Sequence, residues 1–153
     1  MAQKKELTDK DINKILNDNL PLKYWELELG IGYVYENAPE GVHYSAPYLE
    51  LGEAFWVKIK ASIHAFICED SEPKEWVNDL ITGDIRNLIV GLVSAITSKY
   101  DVSMGIAIPI AALVVKTGVI NFCKAEPLEK DVNINIKDIV KNRTIDKELN
   151  NHE

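Results

Sequence analysis

A chain of 153 residues, 46% apolar and 27% charged, has the size and balance of one globular domain. A net charge of −7 and the lack of any basic cluster argue against nucleic-acid binding, which needs cationic side chains to neutralise phosphates. The opening MAQKKELTDKD is charged and lacks the apolar segment of a signal peptide, so the two cysteines, Cys68 and Cys123, read as buried thiols in a cytoplasmic protein rather than as a disulfide.

The acidity is local. Residues 20–80 carry four positive and eleven negative charges, whereas 81–123 carry three and two. This pattern describes a solvated acidic face that keeps the chain soluble.

In chain order, TDKDINKILNDNL (8–20) reads as a short helix. Thr8 with Asp11 resembles a capping box, Ile12, Ile15, Leu16 and Leu20 share one face, and Pro21 ends the pattern. Next, Trp25, Leu27, Leu29, Ile31, Tyr33 and Tyr35 occupy alternate positions, separated by Glu26, Glu28, Gly30 and Gly32. Period two with aromatic residues predicts a half-buried strand, and a helix here would have to tolerate both glycines.

Residues 45–69 fit both templates. As a helix, Ser45 caps, Pro47 lies in the first turn, and Phe55, Trp56, Ile59, Ile63, Phe66 and Ile67 form a stripe. As a strand, Phe55 to Ala65 alternate with Trp56 to His64. The length and the scarcity of turn residues favour helix.

A capped helix is predicted from Ser71, with Pro73 in its first turn and a break at Gly83. After it, Ile85, Leu88, Ile89, Leu92, Val93 and Ile96 mark an amphipathic helix. The second face of that helix, Gly91, Ser94, Ala95 and Ser98, is small enough to admit a neighbour. The stretch MGIAIPIAALVVKTGVINFC (104–123) is nearly all apolar, broken by Lys116, with Asp101 or Ser103 as its cap. Pro109 suits a first helical turn, so a short extended lead-in is the alternative before it. The polar remainder, 124–153, reads as a tail that is partly ordered or docks on a partner. There is no long repeat, but FICEDSEP (66–73) and FCKAEP (122–127) end two apolar runs in the same way.

Little in this pattern announces chemistry. There are three histidines, His43, His64 and His152, and no nucleophile elbow, Walker sequence or complete dinucleotide fingerprint. His64 and Cys68 are four apart, as two zinc ligands on a helix would be, but no second pair completes a site. No catalytic, cofactor-binding or metal residue is assigned. The uncharged runs Val102–Val115 and Asn87–Ser98, 14 and 12 residues, fall short of the roughly 20 that span a bilayer.

The expectation is a mostly α, or α+β, domain over residues 1–123. It centres on an apolar helix hairpin, 85–98 with 106–122, and includes an N-terminal strand pair. Its apolar helices exceed what so small a domain can cover, which points to a homo-oligomer or a subunit of a larger complex with an accessory, non-enzymatic role. The candidate interface residues are Trp25, Tyr33, Tyr35, Trp56, Trp76, Ile108 and Val114. Two other functions fit parts of the sequence: a membrane-active effector that inserts 85–123 on a trigger, and an enzyme or metal protein around His64.

Overall fold

The computed structural model describes residues 6–36, 47–69, 75–124 and 136. These form α1 (Asp9–Leu16), α2 (Leu22–Glu36), α3 (Tyr48–His64) continued by a π-helical turn (Ala65–Glu69), α4 (Glu75–Thr82), α5 (Ile85–Tyr100), α6 (Met104–Thr117) and α7 (Val119–Lys124). The fold is mostly helical, and no strand occurs among the described residues.

The predicted strand at 25–35 is therefore a helix, and its glycines explain both the pattern and the packing. Residues two apart on a helix point about 200° apart, so Gly30 and Gly32 look to opposite sides of α2. A Cβ at Gly30 would overlap the carbonyl of Tyr48, and one at Gly52 would overlap the carbonyl of Glu26. Each glycine thus receives the carbonyl four residues before the other, and α2 and α3 meet backbone to backbone. On its other side, a Cβ at Gly32 would overlap the carbonyl of Gly105 in α6. Pro109, inside α6, supplies no N–H to that carbonyl. The Gly32 α-hydrogen is directed at it instead, a weak C–H···O contact.

With α3 on one side and α6 on the other, no residue of α2 from Tyr24 to Glu36 is fully exposed. A helix covered on both sides shows no single apolar stripe, which is why alternation dominated its sequence. Likewise α6 is buried without interruption from Ile106 to Val114. The centre of the core is α2 between α3 and α6, not a hairpin of 85–98 with 106–122. The second segment is itself two helices, divided at Gly118, whose φ of 91° favours glycine.

The remaining elements close around this centre. The Thr8–Asp11 capping box forms as the sequence indicates, with Thr8 N–H donating to Asp11 Oδ2 at 2.9 Å. The helix ends earlier than Pro21, at Leu16, where Lys116 Nζ reaches over from α6 and donates to the carbonyls of Ile15 (3.1 Å) and Asn17 (2.9 Å). Lysine at a helix C-terminus satisfies carbonyls that have no intrahelical partner. Arg86 ties α5 to α1 through Asn13 Oδ1 at 2.8 Å and Asp9 at 3.4 Å.

Pro47, not Ser45, immediately precedes α3, and Ser45 lies outside the described residues. Gly83 turns the chain with φ of 80°, and Asp84 caps α5 by accepting from Asn87 N–H. Of the small second face of α5, Gly91 receives the Trp76 side chain of α4, while Ser94 and Ser98 face solvent. Helix α6 starts at Met104 after Ser103, so no extended lead-in reaches Pro109. Most of the polar tail lies outside the described residues, but Ile136 is buried within the core.

Candidate functional site

The side chains of greatest chemical interest gather where α3 runs into α7. His64 ends α3 and is buried. Beyond it the backbone widens into the π-helical turn, a feature often found at functional positions. That turn carries Cys68, which is bonded to Cys123 of α7 with a Cα–Cα distance of 5.5 Å. Reading both cysteines as buried thiols is thus corrected: they are joined to each other, and both are only half-buried. The sequence held a signal for this pairing. Each cysteine closes an apolar run beside a phenylalanine and an acid–proline segment, and the fold brings these two run ends together.

His64 touches both arms of the bridge. Its Nε2 lies 3.1 Å from the Cys123 carbonyl oxygen, and its Nδ1 lies 3.2 Å from Glu69 Oε2. Carbonyl and carboxylate oxygens only accept, so each of these contacts is a hydrogen bond only where the His64 nitrogen facing it carries a hydrogen. The Phe122 ring packs against the His64 ring at 5.6 Å and stacks on Trp56 at 6.1 Å. Across the same end of α3, Tyr100 donates to the Ser62 carbonyl at 3.2 Å, and burial raises the Tyr100 phenol above its ordinary pKa.

This arrangement limits what the cluster can do. Cys68 spends its sulfur on Cys123, so the His64–Cys68 spacing does not provide a pair of metal ligands in the bonded chain. Among the described residues no group of three or more His, Cys, Asp or Glu side chains is placed to hold a metal. Both His64 nitrogens face oxygen atoms of the chain itself, the Glu69 carboxylate and the Cys123 carbonyl. The chemistry at hand is thiol–disulfide exchange. His43 and His152 lie outside the described residues.

The interface candidates divide sharply. Trp25, Tyr33, Trp76, Ile108 and Val114 are all buried in the chain's own core. Tyr35 and Trp56 are half-buried, Tyr35 stacked on Tyr48 at 6.3 Å and Trp56 on Phe122. The apolar side chains that do reach solvent were missed. They include Val77 and Ile81 one turn apart on α4, and Ile85 and Val90 on α5. Leu22, at the start of α2, is 41% exposed and lines an open groove of about 440 Å³ with Leu16, Leu20, Ile85 (39% exposed) and Val115. Lys116 and Asp18 sit on its wall. Sequence periodicity placed Ile85 in the apolar stripe of α5, but the first turn of that helix projects beyond the core.

A smaller concavity of about 130 Å³ lies between α1, α2 and the start of α6. Asp11, Lys14, Tyr24 and Glu28 line it, with Lys14 Nζ donating to the Tyr24 hydroxyl oxygen at 3.4 Å. Burial and the Glu28 carboxylate raise the Tyr24 phenol. Elsewhere on α2, partial burial and the nearby Glu53 carboxylate raise the Glu26 carboxyl. Among the described residues no helix is long and apolar enough to cross a membrane. No protein family, curated protein or solved structure matches the chain.

Proposed function

We propose that the protein is a small non-enzymatic interaction or accessory protein that works as a homo-oligomer or as a subunit of a larger complex. The observation that supports this most is the exposed apolar rim at the junction of α2 and α5. Leu22 and Ile85 flank the 440 Å³ groove, and Ile81, 78% exposed, lies just before it in the chain. Large apolar side chains grouped in the open are a property of interaction surfaces rather than of isolated monomers. Charge supports the α5 and α6 side of the groove: Ile85 and Val115 belong to the stretch 81–123, which carries few charges. Low charge removes the like-charge repulsion that would oppose self-association elsewhere on this acidic chain.

The test is light scattering on the wild type and on the double variant Leu22→Glu/Ile85→Glu. The reading expects a mass above the 17.2 kDa of one chain for the wild type and a return to one chain for the variant. An unchanged mass for the variant would remove the groove from the account. A cytoplasmic setting belongs to the same reading, and there the Cys68–Cys123 bond has to be reversible, because thiol buffers keep most cysteines reduced.

A further inference from the structure

We propose that the Cys68–Cys123 bond is a reversible clasp on α7, opened and closed by thiol exchange, and not a fixed staple of the fold. The placement of the bond carries the argument. Both cysteines are half-buried at the margin of the core, within reach of an attacking thiolate. The glycine crossings that pin α2 to α3 and α6 lie on other segments and do not depend on it. What the bond holds is short: α7 is six residues long and follows the turn at Gly118. Without the bond, the anchors of α7 are non-covalent and, among the described residues, include buried Val119 and Phe122, the Trp56 and His64 ring contacts of Phe122, and the His64 contact to the Cys123 carbonyl.

These anchors also make the clasp reversible. The His64 contact goes to the backbone of Cys123 and not to its sulfur, so reduction removes neither of its atoms and the contact can re-form as α7 returns. It keeps the freed thiol beside Cys68, where the effective concentration favours closure over a mixed disulfide. His64 is a positioning residue in this scheme. In the opening step, an external thiolate attacks one sulfur, the S–S bond breaks, and a mixed disulfide forms. A second thiol then displaces the external group as a disulfide. The chain gains two electrons and two protons and ends with two cysteine thiols, while the external dithiol or thiol pair is oxidised.

The experiment uses the full chain and dithiothreitol as the probe, under native conditions. Hydrogen exchange read by mass spectrometry is expected to show amides of 119–124 losing at least tenfold protection on reduction. Amides of α2 and α6 keep theirs, and oxidation restores the starting pattern. In His64→Ala, reclosure of the reduced chain should slow several-fold, with mixed disulfide accumulating when oxidised glutathione is the oxidant. Three results would overturn the proposal: a bond that resists dithiothreitol until the protein unfolds, an exchange pattern unchanged by reduction, and loss of protection throughout the chain. The variant Cys68→Ser/Cys123→Ser gives the open state without reductant. It should match the reduced wild type, and a mismatch counts against the clasp.

Discussion

Replacing Gly30 with alanine tests the packing at the centre of this fold. A Cβ at that position overlaps the Tyr48 carbonyl oxygen and lies 2.8 Å from its carbon and 3.0 Å from the Gly52 nitrogen. All three are backbone atoms, so no side-chain rotation relieves the clash. Carbon–carbon contacts are optimal near 3.5–4.0 Å, so α2 and α3 must move apart by about 1 Å. A gap of that size forfeits up to about half of the dispersion well of each atom pair along the interface. The affected side chains, including Leu29, Tyr33, Phe55 and Ile59, are among the most buried in the protein. Overpacking costs about 1–3 kcal/mol and occasionally more. The better helix propensity of alanine returns up to about 1 kcal/mol. With the cost at the upper end of that range, the net expectation for Gly30→Ala is a loss of about 2 kcal/mol, or a fall in Tm of about 4–8 °C for a chain of this length. Urea denaturation of the wild type and variant measures it. Gly52→Ala should cost a similar amount. The double variant should cost less than the sum, because helices already separated accept the second methyl more easily. Gly83→Ala is the control: φ is 80° but nothing lies within 4 Å of the added carbon, so the cost is limited to roughly 1–2 kcal/mol of backbone strain. A Gly30→Ala protein within about 0.5 kcal/mol of wild type, the scatter of ordinary surface changes, would refute the backbone-contact geometry.

Three further outcomes follow from the same structure. Glu26→Gln should stabilise the protein at neutral pH by less than about 1 kcal/mol, a partly exposed site being screened by solvent. The folded-state pKa of Glu26 is raised, so its charged form weakens the fold at neutral pH. That penalty is lifted as pH falls through the folded pKa towards the unfolded value of 4.5, and the advantage of glutamine should vanish there; an advantage independent of pH would contradict the assigned cause. Lys116→Met removes the donor to the Ile15 and Asn17 carbonyls and should cost about 1–3 kcal/mol, with α1 losing hydrogen-exchange protection before α2; equal protection in both would count against the cap. Cys68→Ser/Cys123→Ser leaves α7 on its non-covalent anchors and should move the urea midpoint little, and a loss near the roughly 4 kcal/mol that chain entropy gives a loop of 55 residues would mark the bond as a fixed staple of the fold.

The parts of this fold that were readable from sequence are those with one covered face. The Thr8–Asp11 cap, the break at Gly83 and the buried stripe Leu88–Ile96 follow from spacing alone, because capping chemistry and single-sided burial leave local marks. Helix α2 left a misleading one. Its two glycines face different partners, and the need for them arises from Tyr48 and Gly105, which are distant in the chain. Lys116 shows the same limit. In sequence it interrupts an apolar run, and only the fold reveals that it spans to the end of α1. The exposed rim at Leu22 and Ile85 was hidden for a related reason, since an apolar residue in register with a buried stripe is indistinguishable from it until the edge of the core is located. The disulfide lay between these cases. Both run ends were visible, but their meeting depends on how the fold places the π-helical turn that carries Cys68 beside α7.

The central functional claim is that this chain presents its exposed apolar rim to a second copy or a partner subunit. Sedimentation equilibrium of the purified full-length wild type over a dilution series tests it most directly. The account predicts a mass above 17.2 kDa that falls towards that value on dilution, and an Ile85→Glu chain that stays at one-chain mass throughout. A wild-type chain that remains at 17.2 kDa up to the highest concentration would contradict self-association through this rim.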